Sequence, residues 1–371
     1  MDTRVSNLLK EWTSWFETAV FPLWIKMGVN SIGGFAEALT MKGQPVLQPR
    51  RAMVQCRQIY SYRLALDYSF CSRSEAISAI EFGLDFLIKN YSLPSGGFIH
   101  SVNVNGSQAN TKADLYTQAF VLFGLAHAYE LFPARRFAIK NIAKSLMFYL
   151  RHERRLQSGG YSEIGDIGTL YQSNPHMHLL EAAISWIKID SDPEWRDLAD
   201  ELVKLCLEKF IQPNGLLCEH FDLNWNPKLH NGKFIFEPGH HFEWAWLLGQ
   251  YGSVTGTDFS RYQVNLLNTA ESFVKDRFVI DEVWSDLTIK SSTSRFWTQC
   301  ERIKATSQAD MVNEACEGVE SLFTYFKTPL GGLWNDTRTQ DGGFSDQPAK
   351  ASSLYHIIGA YSEFLSLAKR M

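Results

Sequence analysis

The chain has 371 residues, of which 45% are hydrophobic and 13% aromatic, and its formal net charge is −4. This composition can form a large buried core, and the small negative charge argues against a nucleic acid or an anionic membrane as partner. The opening residues lack the apolar run of a secretory signal, and no segment approaches the roughly 18 apolar residues of a membrane span. The six cysteines are scattered without a CxxC pair, so we expect free thiols and a cytoplasmic protein.

Turns built on glycine and a following large apolar residue divide the chain into stretches of similar length. Clear examples lie at 33–35, 96–98, 159–161 and 331–333, and weaker ones at 214–216 and 281–283. Between their central residues the steps are 63, 63, 55, 67 and 50 residues. The apolar periodicity between the turns predicts two helices each time. In chain order the twelve predicted helices cover 4–26, 50–69, 74–90, 113–131, 134–153, 173–189, 192–211, 240–253, 259–276, 294–307, 311–327 and 351–369.

Twelve helices in six hairpins predict an all-α fold, an (α/α)6 barrel that forms a single domain over residues 1–371. The even-numbered helices are the more apolar, as an inner ring of helices would be. Short β-hairpins are expected at the glycine turns, for example around 98–104 and 216–221. The alternative is an open α-solenoid, which would have a tighter period and polar capping repeats.

The segment 238–248, with the sequence PGHHFEWAWLL, is the most informative part of the chain. It begins with a Pro-Gly turn and continues as an apolar helix. His240 and Glu243 are three residues apart and share one helix face. A helix N-terminus favours the neutral imidazole, whereas a nearby carboxylate favours the imidazolium. Such a pair suits proton transfer near neutral pH, although a purely structural His–Glu pair has the same spacing.

Further polar side chains lie in the more apolar helices, mostly within their first two turns. In a barrel of this type, those helix ends converge at one mouth. Each side chain taken alone has a structural explanation, such as a salt bridge or a packed aromatic ring, but their convergence predicts an active site. They are Arg57, Asn174, His178, Trp297, Glu301 and His356.

Two kinds of chemistry are disfavoured by the residue types at this mouth. Acyl transfer needs a nucleophile beside a histidine, and Ser352 and Ser353 are better interpreted as helix N-cap residues. A metal centre needs converging ligands, whereas His240 and His241 diverge by about 100° on a helix. We therefore predict neither a metal nor an organic cofactor.

Glycoside hydrolysis and proton abstraction remain as alternatives. Glycoside hydrolysis needs two carboxylates across the scissile bond, but Glu243 and Glu301 each share a helix face with another candidate side chain. Proton abstraction next to a carbonyl needs an imidazole base, a second acid or base and a cation, for which Arg57 is suited. Aromatic side chains that could stack on a sugar ring are Trp297, Trp334, Tyr60 and Tyr116.

The chain resembles the N-acylglucosamine 2-epimerase superfamily, which includes mannose isomerases, aldose–ketose isomerases of sulfoquinovose operons and cellobiose 2-epimerases. The resemblance covers nearly the whole chain and implies an (α/α)6 barrel with sugar chemistry that requires neither metal nor cofactor. It is carried by the segments 54–60, 114–116, 174–181, 238–248, 295–305 and 351–360.

The resemblance also implies roles for individual residues. His240 and His356 would do the acid–base work, and Arg57 would bind and polarise the carbonyl oxygen. Glu243 would support His240. Residues that would bind or surround the substrate are Asn174, His178, Trp297, Tyr116 and Glu301. His176 and His241 lie beside histidine positions of the family and are treated as secondary.

Within the superfamily, the segments 295–305 and 351–358 are most similar to mannose isomerases. Cellobiose 2-epimerases usually carry a Trp-Lys pair just before the last histidine, but here Lys350 follows Ala349. We therefore expect a monosaccharide substrate and interconversion of D-mannose and D-fructose, with D-lyxose and D-xylulose as a further pair. The alternatives are a sugar 2-epimerase and a non-catalytic sugar-binding protein. The sequence leaves the oligomeric state open, a homo-oligomer included.

Overall fold

The computed structural model describes residues 2–29, 33–163 and 170–371. Most of these residues are helical, and the strands are two or three residues long. In chain order the α-helices are α1 (Thr3–Trp15), α2 (Phe21–Gly28), α3 (Ala52–Asp67), α4 (Arg73–Tyr91), α5 (Leu115–Leu131), α6 (Arg136–Tyr149), α7 (Ser173–Ile187), α8 (Pro193–Leu205), α9 (Pro238–Thr255), α10 (Ser260–Glu271), α11 (Phe296–Gln308), α12 (Val312–Tyr325) and α13 (Leu354–Arg370).

The helices form two concentric rings. Helices α3, α5, α7, α9, α11 and α13 each contact the next, and α13 contacts α3, which closes the inner ring. The outer ring consists of α4, α6, α8, α10 and α12, each packed on an inner helix, with α1 packed on α13. A closed inner ring confirms the predicted (α/α)6 barrel and excludes the open solenoid. The helix predicted over 4–26 is α1 and α2 joined by a π-helical turn, Phe16–Val20.

The two rings follow from different distributions of apolar residues. Helix α5 is apolar around most of its circumference, and nearly all of its side chains are buried. Helix α8 is amphipathic, because its buried residues Trp195, Leu198 and Leu202 recur every three or four positions. An amphipathic helix buries one stripe against the inner ring and leaves its polar face in solvent. Each large apolar side chain that is fully buried contributes about 1.5–3 kcal/mol to this packing.

A repeated hydrogen bond sets the rotation of five inner helices. The fourth residue of each is a buried Gln or His that binds the backbone N–H of the preceding turn. In α3, Gln55 accepts from Phe35 N–H at 2.7 Å, and in α7, His176 accepts from Tyr161 N–H at 3.0 Å. The other acceptors are Gln118, His241 and Gln299. Because this residue is held at the turn, the side chain two positions further along faces the barrel axis.

The strands surround one end of the barrel. β2 (Arg50–Arg51), β5 (Tyr171–Gln172), β7 (Ile235–Phe236), β12 (Ser294–Arg295) and β14 (Ala349–Lys350) immediately precede the inner helices α3, α7, α9, α11 and α13. They pair antiparallel in the orders β2–β3–β4, β5–β6, β7–β10–β11, β12–β13 and β14–β1. The partners are β1 (Ala38–Leu39), β3 (Ser101–Val102), β4 (Gln108–Asn110), β6 (His220–Phe221), β10 (Glu282–Trp284), β11 (Ile289–Ser291) and β13 (Thr337–Arg338). These sheets form the rim of the mouth where the inner helices begin.

Several local predictions were wrong, and the first two concern the fifth repeat. The helix predicted over 259–276 ends at Glu271, because β8 (Val274–Lys275) pairs with β9 (Phe278–Val279). This hairpin is the fifth turn of the repeat. The fifth turn was predicted at 281–283, but that segment overlaps strand β10. Asp276 and Arg277 adopt positive φ there, at 49° and 73°, so the turn has no glycine signal.

The remaining differences concern strands. Residues 294–295, predicted as helix, are strand β12. The hairpin expected around 98–104 is present as β3 and β4, but β6, within the segment 216–221, pairs with β5 of the preceding repeat. Among the described residues, no helix has both the length and the apolar character needed to cross a lipid bilayer.

Candidate active site

A cavity of about 180 Å³ opens where the inner helices begin. Its lining includes every side chain predicted for the site except Glu301. Two further charged residues, Glu237 and Arg295, take part. The complete lining is Arg57, Tyr116, Asn174, His178, Glu237, His240, Glu243, Arg295, Trp297 and His356.

His356 is held as a neutral imidazole. Its Nδ1 atom lies 2.7 Å from Oε1 of Glu301, and its Nε2 atom lies 3.4 Å from Nη1 of Arg57. Burial and the positive charges of Arg57 and Lys304 lower the pKa of His356 well below its usual value. We assign the ring proton to Nδ1, where Glu301 accepts it, because Arg57 can only donate. The lone pair of Nε2 is then available as a base.

His240 is held in the opposite protonation state. Its Nδ1 atom donates to Oε2 of Glu219 at 2.8 Å, and both residues are buried. Burial alone would lower the pKa of His240, but the carboxylates of Glu219 and Glu237 outweigh burial and raise this pKa to about 9. Glu219 is itself fixed by the Ser173 hydroxyl at 3.0 Å and the Glu237 N–H at 3.1 Å. His240 is therefore an imidazolium, and so an acid, at neutral pH.

The predicted pairing of His240 with Glu243 was wrong, because Glu219 is the hydrogen-bond partner of His240. Glu243 faces the barrel axis, where its Oε1 lies 3.7 Å from Nδ1 of His178 and accepts no hydrogen bond from any residue that the structure describes. Burial and the nearby carboxylate of Glu301 raise the pKa of Glu243 well above its usual value. Glu243 thus presents a protonated carboxyl group to the pocket.

The guanidinium of Arg57 is clamped at the pocket wall. It donates to the Tyr116 hydroxyl at 2.7 Å and to the carbonyl oxygen of Ser352 at 3.2 Å. The rings of Phe120 and Tyr355 lie 4.2 and 4.7 Å from its central carbon. A cation held in this way needs little rearrangement when negative charge develops beside it.

Trp297 lines the pocket close to both histidines. The centre of its ring lies 5.1 Å from that of His240 and 5.9 Å from that of His356. Gly239 packs directly against this indole, and a Cβ at that position would lie 2.7 Å from it. The glycine of the PGHH sequence is therefore required by the close approach of Trp297.

Glu301 was predicted to bind substrate, but it is completely buried behind His356. Its Oε1 accepts from His356, and its Oε2 lies 2.7 Å from Nζ of Lys304. The i, i+4 spacing with Trp297 was correctly noted, yet Trp297 faces the pocket while Glu301 lies one turn deeper. Glu301 orients a pocket residue instead of lining the pocket.

Asn174 and His178 present polar groups to the pocket. Asn174 lines the pocket, and its Oδ1 has no hydrogen-bond partner among the described residues. His178 lies with Nδ1 3.3 Å from Oε2 of Glu181, and burial lowers its pKa to about 4. A free amide oxygen can accept a hydrogen bond from a hydroxyl group, and a neutral imidazole can donate one or accept one.

Three charged residues of this site were not predicted from the sequence: Glu219, Glu237 and Arg295. At the rim, Arg295 is paired with Glu237 at 2.5 Å and with Asp281 at 3.0 Å, and it lies over the Trp297 ring. A faint signal existed for Glu219 alone, which is a single carboxylate within the apolar stretch LLCEHF. A buried acid in such a stretch requires a partner, and the partner is His240.

Some aromatic and histidine candidates lie outside the pocket. Trp334 is fully buried and stacks on Trp24 with ring centres 5.0 Å apart. Tyr60 lines a separate cavity of about 350 Å³ towards the other ends of the inner helices. His176 and His241 bind turn backbones, and burial lowers the pKa of each to about 4. In the part of the chain that the structure describes, none of these four candidates lines the pocket.

One group of the described residues approaches metal-ligand spacing. Atoms of His178, Glu181 and Glu243 lie within 4.8 Å of one another. Their proximity has an explanation without a cation, because Glu181 accepts hydrogen bonds from His178 and Tyr355, and Glu243 is protonated. The charge of Lys304 also lowers the pKa of Glu181.

The pocket therefore combines a neutral imidazole, an imidazolium and a fixed guanidinium. Environments that drive the pKa values of two groups apart assign one as base and the other as acid. Here the base would be His356 and the acid His240, with Arg57 beside the base. This arrangement can remove a proton from carbon next to a carbonyl group and stabilise the resulting oxyanion.

Comparison with known proteins agrees with this chemistry. The family model described as N-acylglucosamine 2-epimerase (GlcNAc 2-epimerase) matches residues 33–360. The chain is 32% identical over 379 aligned residues to "Mannose-6-phosphate isomerase" of Rhizobium meliloti (strain 1021), with 97% of both chains covered. A solved D-mannose isomerase superposes with a TM-score of 0.86 at 19% identity, covering 99% of this chain and 98% of that one. The cellobiose 2-epimerase of Spirochaeta thermophila gives a TM-score of 0.87 at 19% identity with the same coverage.

Proposed function

Because this chain belongs to the N-acylglucosamine 2-epimerase family, we propose that it is an aldose–ketose isomerase interconverting D-mannose and D-fructose, with D-lyxose and D-xylulose as a further pair. The observation that carries the proposal is that His240 and His356, both beside Trp297 in one pocket, have pKa values displaced in opposite directions. The relative that aligns from end to end also bears the name of an isomerase.

The reaction proceeds through an enediol. His356 removes the proton from C2 of the open-chain aldose through Nε2, and the electron pair moves towards the carbonyl oxygen at C1. Arg57 stabilises the charge on that oxygen, and the His240 imidazolium donates a proton to it. His240 then takes the proton of the C2 hydroxyl group while His356 returns its proton to C1. The product is the ketose, and both histidines regain their starting protonation states.

A sugar 2-epimerase is the second candidate. It would use the same first step, but the proton would return to the opposite face of C2 instead of to C1. Two histidines that flank Trp297, one neutral and one protonated, would also suit that reaction. We prefer the isomerase because the relative that is 32% identical over 97% of this chain is named for an isomerase. More distant relatives include both classes: the cellobiose 2-epimerase of Bacteroides fragilis is 25% identical over 64% of this chain, and the D-mannose isomerase of Marinomonas mediterranea is 22% identical over 59%.

We propose the unphosphorylated sugar as substrate, although the relative from Rhizobium is named for a phosphate ester. The cation at the rim, Arg295, is already neutralised by Glu237 and Asp281. A phosphate group is usually bound by arginine or lysine side chains that are free to donate to it, or by a helix N-terminus. The other arginine of the pocket, Arg57, is directed at the reacting atoms.

The test is to incubate the protein with D-mannose, D-mannose 6-phosphate, N-acetyl-D-mannosamine and cellobiose separately, and to identify products by NMR. We expect D-fructose from D-mannose, with a higher kcat/KM than for the phosphate ester. Epimers without ketose would favour the 2-epimerase. Absence of turnover for all four sugars would favour a non-catalytic sugar-binding protein.

A further inference from the structure

We propose that Lys304 is a positioning residue of this site, whose ammonium group holds Glu301 as the hydrogen-bond acceptor for Nδ1 of His356 and thereby leaves Nε2 of His356 free to act as the base. The effect of Lys304 on catalysis rests on the proposed function. Its effect on the tautomer and protonation of His356 does not, because both can be measured without turnover. Lys304 does not line the pocket, and it would act only through Glu301.

The three residues form a continuous chain of contacts. Nζ of Lys304 lies 2.7 Å from Oε2 of Glu301, and Oε1 of the same carboxylate lies 2.7 Å from Nδ1 of His356. Lys304 is 3% exposed and Glu301 is 0% exposed. Water therefore screens this ion pair little, and removal of one partner leaves a buried charge uncompensated.

The ammonium group is fixed from a second side. Nζ of Lys304 lies 3.6 Å from the centre of the Trp246 ring on α9. A cation over the face of an indole is attracted by the ring quadrupole. Lys304 is therefore a fixed charge beneath the pocket, between α9 and α11.

Lys304 is the positive charge in contact with Glu301. The other carboxyl groups around the pocket have partners of their own or are neutral. Glu243 is protonated, Glu181 accepts from His178 and Tyr355, and Glu219 is paired with His240. Arg57 faces Nε2 of His356, on the opposite side of the ring from Glu301. The titratable and charged groups around His356 are Arg57 on α3, Tyr116 on α5, His178 and Glu181 on α7, His240 and Glu243 on α9, Glu301 and Lys304 on α11, and Tyr355 on α13.

Loss of the ammonium group would change where the proton of the Glu301–His356 pair resides. Without a counter-charge, the buried carboxylate would take up a proton or draw a second proton onto His356. In the first case Glu301 donates to Nδ1 and the ring proton moves to Nε2. In the second case the imidazolium forms at higher pH, because the positive charge of Lys304 no longer lowers the pKa of His356. Either change removes the base.

The experiment compares Lys304→Met with Arg302→Met. Arg302 lies on the same helix and is equally buried, but it pairs with Glu271 on α10 at 2.7 and 2.9 Å, away from the pocket. The imidazole nitrogens of His356, assigned with His356→Asn, are followed by ¹⁵N NMR between pH 4 and 9 without substrate. We expect the Nδ1–H tautomer in wild type and in Arg302→Met, and an altered tautomer or an imidazolium at higher pH in Lys304→Met.

If Lys304→Met does not fold, Lys304→Gln is measured, since it keeps a donor for Glu301 and loses only the charge. Unchanged tautomer and titration of His356 in the folded neutral variant would overturn the proposal, whatever happens to turnover. In a protein that turns over mannose, the acidic limb of kcat/KM should move upward with the NMR titration. Failure of every sugar assay would contradict the proposed function and leave the NMR result for Lys304 intact.

Discussion

The Nε2 atom of His356 lies 3.4 Å from Nη1 of Arg57. Arginine remains protonated at any pH at which the protein is folded, so Arg57 can donate to a neighbour but cannot remove a proton. The proposed base and the cation for the developing oxyanion thus converge on one point of the pocket. In an open-chain aldose the carbonyl oxygen and the hydrogen on the adjacent carbon also lie close together. One bound sugar can therefore present that hydrogen to Nε2 of His356 and the carbonyl oxygen to Arg57, as enolisation requires.

The pKa values of the two histidines predict a bell-shaped dependence of kcat/KM on pH. His356 must be neutral, so the acidic limb should lie well below pH 6.5. His240 must be protonated, and because its pKa is raised to about 9, activity should fall as pH rises through about 9. Glu219→Gln removes the nearest carboxylate and should move the alkaline limb down by about one unit or more. Initial rates with D-mannose between pH 4 and 10 measure the alkaline limb and test whether the acidic limb lies well below pH 6.5.

Glu271→Gln is the control for this prediction. Glu271 is a carboxylate at the end of the outer helix α10, and it forms an ion pair with Arg302 of α11, away from the pocket. That variant should keep the wild-type alkaline limb. An alkaline limb that stays near pH 9 in Glu219→Gln would show that His240 is not the titrating acid, or that Glu219 does not set its pKa.

The two histidines should differ in their effect on proton exchange at carbon. His356→Asn should slow exchange of the C2 proton with solvent deuterium by about 10²- to 10⁴-fold, the usual contribution of a general base. His240→Asn should retain slow exchange on the open-chain sugar, because the carbon base is still present. His127→Asn, at the separate cavity, is the control with wild-type exchange. Wild-type exchange rates in both active-site variants would refute the assignment of these roles.

Catalysis should be independent of metal ions. The carboxylates beneath the pocket are balanced by the Lys304 ammonium and by protonation of Glu243, so the chemistry needs no further cation. Prolonged treatment with EDTA followed by buffer exchange should leave kcat and KM for mannose unchanged. A loss of activity that zinc, manganese or magnesium restores would contradict this expectation and would indicate the group formed by His178, Glu181 and Glu243 as the metal site.

The barrel was predictable because one physical pattern recurs. Six turns separate pairs of helices, and the more apolar helix of each pair must be buried on all sides, which a closed inner ring provides. The fifth turn was misplaced because Asp276 and Arg277 adopt the left-handed conformation that glycine adopts elsewhere in the repeat. The partner of β6 was missed because strand pairing between successive repeats leaves no local signal in the sequence.

The pocket lining was also largely predictable, since a polar residue in an apolar helix is conspicuous. The partners of those residues were not. Helical spacing suggested Glu243 as the partner of His240. The hydrogen-bond partner is instead Glu219, 21 residues before His240, because the backbone N–H of Glu219 donates to the carbonyl oxygen of Ile235 in β7 and so holds Glu219 beside the start of α9. The depth of Glu301 and its contact with Lys304 likewise depend on tertiary packing, which i, i+3 and i, i+4 rules do not contain.

The most direct test of the proposed isomerase is incubation with D-mannose in heavy water, followed by NMR. Proton abstraction from C2 and return to C1 should give D-fructose with deuterium at C1, to the extent that the proton on His356 exchanges with solvent before it returns. The His356→Asn variant should form fructose and deuterated mannose about 10²- to 10⁴-fold more slowly than the wild type. Early D-glucose with deuterium at C2 and no fructose would contradict the account, because the same enediol would then be protonated at C2 and the protein would be a 2-epimerase.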